Sequence, residues 1–69
     1  MPRMRVNLNG EPREVPDHID VAGLLAHLGV KRERVAIEVN EAVVTKDRYD
    51  GHVLAAGDSV EIVAYIAGG

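Results

Sequence analysis

The sequence closes on Ile66-Ala67-Gly68-Gly69, the one segment whose residue types could do chemistry. Two adjacent glycines at this position have no side chain to pack, and terminal residues fray unless something holds them. What they offer is an α-carboxylate on a slim stalk able to thread a narrow cleft. The other reading is a frayed tail or an appended scar. The remaining residues supply little competition. The chain has no cysteine, which removes disulfides, Cys-ligated metal sites and thiol catalysis together. Any covalent cargo must therefore ride on something other than a side-chain sulfur. His18, His27 and His52 show no metal-ligand spacing, so no metal site is expected. The carboxylates are scattered, with no two placed as an acid–base pair, and no catalytic residue is expected. Lys31, Arg32 and Arg34 form a short basic cluster, read as a solvated turn rather than a docking site.

The elements that must position such a terminus come from a small chain. Its 69 residues suit one domain, 1–69, ending in a flexible tail over 67–69. A domain of this size buries only about 60% of the surface its unfolded form exposes, leaving no room for a deep active-site cleft. A self-sufficient enzyme is thereby disfavoured. At 46% apolar and 28% charged residues the chain is too hydrophobic to be disordered. Without Phe or Trp, its core must be built from aliphatic side chains. The net charge of −3 gives no reason to expect nucleic acid. No apolar run approaches a membrane span and no signal-peptide pattern opens the chain, so no membrane partner and a cytoplasmic location are expected.

Met4, Val6 and Leu8 alternate with polar residues, the period of a strand with one buried face. Asn9-Gly10 signals a hairpin. A second strand follows through Val15, pushed towards a sheet edge by Pro12. A strict two-residue loop would set Glu11 and Arg13 opposite Leu8 and Val6, which points to a longer or bulged turn. Asp20 is the expected N-cap of a helix whose Val21, Leu24, Leu25 and Leu28 form one stripe, ended by Gly29. Gly23 within it implies close backbone packing or simple tolerance. Val35, Ile37 and Val39 alternate as a third strand. Asn40-Glu41 turns into a short extended piece over 42–44, and Thr45 is placed to cap a single turn over 46–49. The last strand covers residues 59–66, with Val60, Ile62, Ala64 and Ile66 facing one way and Glu61, Val63 and Tyr65 the other.

Hairpin, helix, strand, short strand and final strand make an α+β domain, a small mixed sheet with one main helix packed across one face. With the first and last strands side by side at the centre, this is the β-grasp arrangement of ubiquitin-like proteins. The expected core is Val6, Leu8, Leu24, Leu25, Leu28, Ile37, Val60 and Ile62. Val63 and Tyr65 lie on the face opposite the helix, and with Ile66 and Ala67 they form the expected partner-docking surface. An ordinary half-covered sheet face is the alternative. Reach favours docking, since residues 67–69 span only about 10 Å when extended, so the body must press against any enzyme they enter.

Four segments give the whole chain a resemblance to the ThiS family, the small sulfur carrier proteins of thiamin biosynthesis. They are the Asn9-Gly10 hairpin, the helix Asp20-Val21-Ala22-Gly23-Leu24-Leu25-Ala26-His27-Leu28, the strand and turn Val35-Ala36-Ile37-Glu38-Val39-Asn40-Glu41-Ala42-Val43-Val44, and Leu54-Ala55-Ala56-Gly57-Asp58-Ser59-Val60-Glu61-Ile62 running to Ala67-Gly68-Gly69. The last is shared with molybdopterin-synthase small subunits and related carriers. Thr45 and Tyr49 stand where family members often have a proline and then an aromatic, a departure that touches no chemistry. The resemblance implies that a ubiquitin-activating-like adenylating enzyme uses ATP on the Gly69 carboxylate, with Gly68 beside it. A sulfur donor protein then converts it to a thiocarboxylate, and thiazole synthase takes the sulfur. The residues agree with each step. An α-carboxyl of reference pKa about 3.3–3.7 is ionised at neutral pH and able to attack the α-phosphate. The chain itself would bind no cofactor and catalyse nothing. Another Gly-Gly carrier, of molybdopterin type or a protein modifier, and a non-carrier β-grasp interaction module are the alternatives.

Overall fold

The computed structural model describes residues 2–64. Five strands and one α-helix follow in order: β1 (Arg3–Leu8), β2 (Glu11–Pro16), α1 (Val21–Leu28), β3 (Val35–Val39), β4 (Ala42–Val44) and β5 (Ser59–Ala64), with single 3₁₀ turns at Arg32–Arg34 and Lys46–Arg48. The sheet order is β2-β1-β5-β3-β4. The first and last strands are parallel neighbours at its centre, with Leu8 beside Val60, and β3 runs antiparallel to β5 on the other side.

The turn at Asn9-Gly10 is neither longer nor bulged. Asn9 and Gly10 both take positive φ (50° and 84°), and the register is the strict two-residue one, Leu8 opposite Glu11 and Val6 opposite Arg13. Such a primed turn matches the natural strand twist. The polar residues are accommodated because β2 is an edge strand that buries only Val15, leaving Glu11 and Arg13 exposed on a rim the eight-residue helix does not cover. Pro12 costs the ladder nothing. Its partner Asn7 turns its own N–H the other way, to the Asp58 carbonyl at 2.8 Å.

The helix starts and stops where its residue types dictate. The Asp20 carboxylate accepts from the Gly23 N–H at 2.7 Å. The two preceding donors find carbonyls in the 49–54 loop, Val21 N–H on His52 and Ala22 N–H on Tyr49, both at 3.0 Å. The orphan donors of the first turn are thus satisfied. At the other end Gly29 sits at φ 72°, its N–H on the Ala26 carbonyl and that of Val30 on Leu25, a full Schellman closure. Close packing explains Gly23. A methyl group there would lie 2.9 Å from Ile19 Cγ1 and 3.0 Å from the capping Asp20 Oδ1.

Asp20 also accepts from the Gly51 N–H through Oδ2 at 3.1 Å, so one carboxylate pins the 49–54 loop to the helix. The bonds from Gly23 and then Gly51 hold its carboxyl below the ordinary aspartate value. A depressed value means stability that is present above the unfolded-state range and lost as pH falls through the lowered folded-state value. We expect Asp20→Ala to cost about 1–2 kcal/mol at neutral pH. The gap from the unsubstituted chain should shrink on the acid side, as urea unfolding at the two pH values would measure.

The core lies between α1 and one sheet face. It holds Met4, Val6, Val15, Val21, Leu24, Leu25, Val35, Ile37, Val39, Val44 and Val60, closed off by Tyr49 and Leu54. Leu8, Leu28 and Ile62 are half-buried at its margin rather than central. Ala64, on the same side of β5, is exposed because the strand has run past the helix. Thr45 occupies the position before the second 3₁₀ turn, but its side chain makes no capping bond to the backbone. The hydroxyl instead bonds the Asp47 carboxylate, the largest cause of that group's lowered pKa.

Candidate functional site

The candidate site is the distal end of β5 and what surrounds it. Tyr65, Ile66, Ala67, Gly68 and Gly69 lie outside the described residues, as do the predicted continuation of β5 to Ile66 and the 67–69 tail. What the described residues establish is how β5 is held up to Ala64.

Two asparagines do much of that holding. β1 ends at Leu8 while β5 runs on, so the Ile62 backbone would face an empty rung. The Asn9 side chain fills it, Oδ1 accepting from the Ile62 N–H at 2.8 Å and Nδ2 reaching the Ile62 carbonyl at 3.4 Å. At the start of the strand Asn40 does the same work. Its N–H donates to the Ser59 carbonyl at 2.7 Å, its Oδ1 accepts from the Ser59 N–H at 2.9 Å, and its Nδ2 donates to Asp58 Oδ1 at 3.1 Å. The other Asp58 oxygen accepts from the Ala55 N–H at 2.8 Å, closing the preceding turn. Both asparagines open a two-residue turn at positive φ, Asn9 at 50° and Asn40 at 52°. Their turn role is readable in the sequence. Their reach to β5 is not, because the Asn9 contact spans 53 positions.

Val63 is exposed at 55%, on the face away from α1 and beside Ala36 of β3. The next rung pairs Glu38 with Glu61, and Val43 of β4 lies opposite Glu38, so all share that face. Two like charges directly opposite each other oppose pairing. Val43 is exposed at 72%. The described part of this sheet face is therefore an open apolar strip interrupted by two carboxylates.

The basic turn is split. Arg32 folds inward to Asp50 Oδ2 at 3.1 Å and to the Lys46 carbonyl at 2.8 Å, with its guanidinium 5.2 Å from the Tyr49 ring centre. Lys31 and Arg34 remain exposed. The histidines stand apart in the chain: His18 in the β2–α1 turn, His27 in the last turn of α1 and His52 in the loop that meets the helix N-terminus. Among the described residues, no helix is long and apolar enough to cross a membrane.

A mixed five-stranded sheet with parallel central strands and one helix across a single face is the ubiquitin-like β-grasp fold. The crystal structure of a thiamine biosynthesis protein (ThiS) from Geobacter metallireducens superposes on it with a TM-score of 0.83 at 32% identity, covering 96% of this chain and 100% of that one. The ThiS family model matches residues 6–69, and the chain belongs to the ThiS family. Stretches of two thiazole synthases are also similar, from Magnetococcus marinus at 42% and Paramagnetospirillum magneticum at 41%. Each match covers 96% of this chain, which spans only 20% of those relatives' length.

Proposed function

We propose that this chain is a sulfur carrier whose Gly69 carboxylate is adenylated and converted to a thiocarboxylate that supplies sulfur for thiazole formation in thiamin biosynthesis. The observation that carries this reading is membership of the ThiS family over residues 6–69, a span that includes both glycines. The chemistry suits them. A carboxylate oxygen of Gly69 attacks the α-phosphorus of ATP, and the α–β phosphoanhydride bond breaks to release pyrophosphate. Sulfur at the sulfide level, brought by a donor protein, then adds to the acyl carbon and AMP departs, leaving the thiocarboxylate. Gly68 and Gly69 put no side chain in the path of that sulfur. The adenylating enzyme binds and uses the ATP, and the chain acts as its substrate in the cytoplasm.

Thiazole synthase is the proposed recipient. In the two thiazole synthase relatives a stretch similar to this chain shares one polypeptide with the rest of the protein. Covalent joining of that kind keeps two units at high effective concentration.

Val63, with Tyr65, Ile66 and Ala67, is proposed to dock the adenylating enzyme. Adding the chain to that enzyme should stimulate ATP–pyrophosphate exchange. Absence of stimulation would contradict the reading. Val63→Asp should raise the concentration of chain giving half-maximal exchange about tenfold, within the range of a lost interface anchor. Its melting temperature should stay near that of the unsubstituted protein, since Val63 is already more than half exposed. An unchanged half-maximal concentration would remove Val63 from the interface.

A further inference from the structure

Of the three basic residues in the turn between α1 and β3, the fold uses one. Arg32 is taken up by Asp50, the Lys46 carbonyl and the Tyr49 ring. Lys31 and Arg34 are left exposed, and among the described residues neither has a carboxylate within ion-pair distance. In a chain of net charge −3, carboxylates are the commoner charge, so two unpaired cations side by side are a local excess. They line a shallow cleft of about 470 Å³ together with Gly29, Val30, Val35 and Ala64. Ala64 is the last residue of β5, so the cleft opens at the point from which the chain continues towards Gly69.

We propose that this cleft docks an acidic segment of the adenylating enzyme, Lys31 and Arg34 receiving its Asp or Glu carboxylates. The inference rests on the carrier reading above and adds the chemistry of the partner surface. Gly69 is the fifth residue beyond Ala64, at most about 18 Å away when the chain is fully extended. When Gly69 enters the enzyme's site, the ring of surface around Ala64 is therefore covered by enzyme. Cations that lose water on being covered must gain a partner or weaken the complex. This chain offers them none among its described residues, so the enzyme has to supply the carboxylates. Val30 and Val35 give the apolar stems of the two long side chains something to lie against. Opposite charges arranged around the entry point also speed encounter and fix orientation.

The test titrates three variants of the full chain, Lys31→Glu, Arg34→Glu and Arg13→Glu, into the adenylating enzyme at low and at moderate salt. Each reverses one charge, but Arg13 lies on edge strand β2, which β1 separates from β5. Lys31→Glu and Arg34→Glu should each bind about tenfold more weakly than the unsubstituted chain, chiefly through slower association, with a flatter salt dependence. Arg13→Glu should stay within about twofold. With saturating enzyme, Arg13→Glu should gain sulfur at the unsubstituted rate, because the tail is intact and β2 lies away from the cleft. Affinities for Lys31→Glu and Arg34→Glu equal to that of Arg13→Glu would overturn the proposal. So would full competition by inorganic phosphate, which would mark a small-anion site. Failure of the carrier reading looks different: the unsubstituted chain would bind the enzyme and gain no sulfur. An unsubstituted chain that does not bind the enzyme at all overturns both.

Discussion

Deleting Gly69, adding one residue after it, or replacing it with alanine should each lower ATP-dependent thiocarboxylate formation by about 100-fold or more. Extension moves the carboxylate by roughly 3.5 Å, and misplacement of a reacting group by about 1 Å can already cost 100-fold. Deletion leaves a carboxylate of the same acidity but draws it back by the same distance. Gly69→Ala keeps the length and places a Cβ beside the carbonyl that sulfur must approach. None of these changes should move the melting temperature, because Gly69 has no side chain to contribute to the core; among the described residues the buried core runs from Met4 to Val60. The assay incubates each variant with the adenylating enzyme, ATP and a sulfur source and reads intact mass for exchange of one oxygen for one sulfur. Normal conversion of the deletion variant would contradict the role assigned to Gly69.

The second large effect concerns stability. Leu25 is 2% exposed in the middle of the helix stripe, and its carbonyl also closes the helix end by accepting from Val30. Leu25→Ala should cost about 2–5 kcal/mol, because it removes buried methyl groups and leaves a cavity that a small core refills only in part. In a domain of this size each kcal/mol lowers the melting temperature by about 4–8 °C. Ile62→Ala should cost clearly less, since Ile62 is half-buried at the margin of the core where the helix cover ends. An unchanged melting curve for Leu25→Ala would contradict the packing of α1 on the sheet.

These two residues also mark where the sequence was readable. The stripe of Val21, Leu24 and Leu25 and the alternation of β1, β3 and β5 are periodic signals, and each buries the face its period assigns. Asn9-Gly10, Asp20 and Gly29 are local backbone chemistry, and they act where they stand. Periodicity gives the face but not how far the cover extends, which is why Leu8, Leu28 and Ile62 were expected at the centre and lie at the edge. Tyr49 and Leu54 are core residues in a stretch with no period at all. They are buried because the Asp20 carboxylate and the helix donors tie the 49–54 loop down. The Asn9-Gly10 register was not legible from the polar pattern, because an edge strand tolerates exposed polar residues opposite Val6 and Leu8. Arg32 stood among solvated charges until its partners, far along the chain, were in view. The fold was thus legible through local signals, while contacts between distant segments were not. At the site, the exposure of Val63 was legible from strand parity, whereas the support of β5 by Asn9 and Asn40 was not.

The central claim is that this chain carries sulfur on Gly69, and the most direct measurement is its intact mass when isolated from sulfur-replete cells actively making thiamin. Fragmentation of the C-terminal peptide then locates any change. The account predicts a population in which one oxygen of the Gly69 carboxylate is replaced by sulfur, depleted when sulfur is withheld. A chain that stays wholly unmodified in those cells, or that is recovered joined through Gly69 to lysines of other proteins, would contradict it.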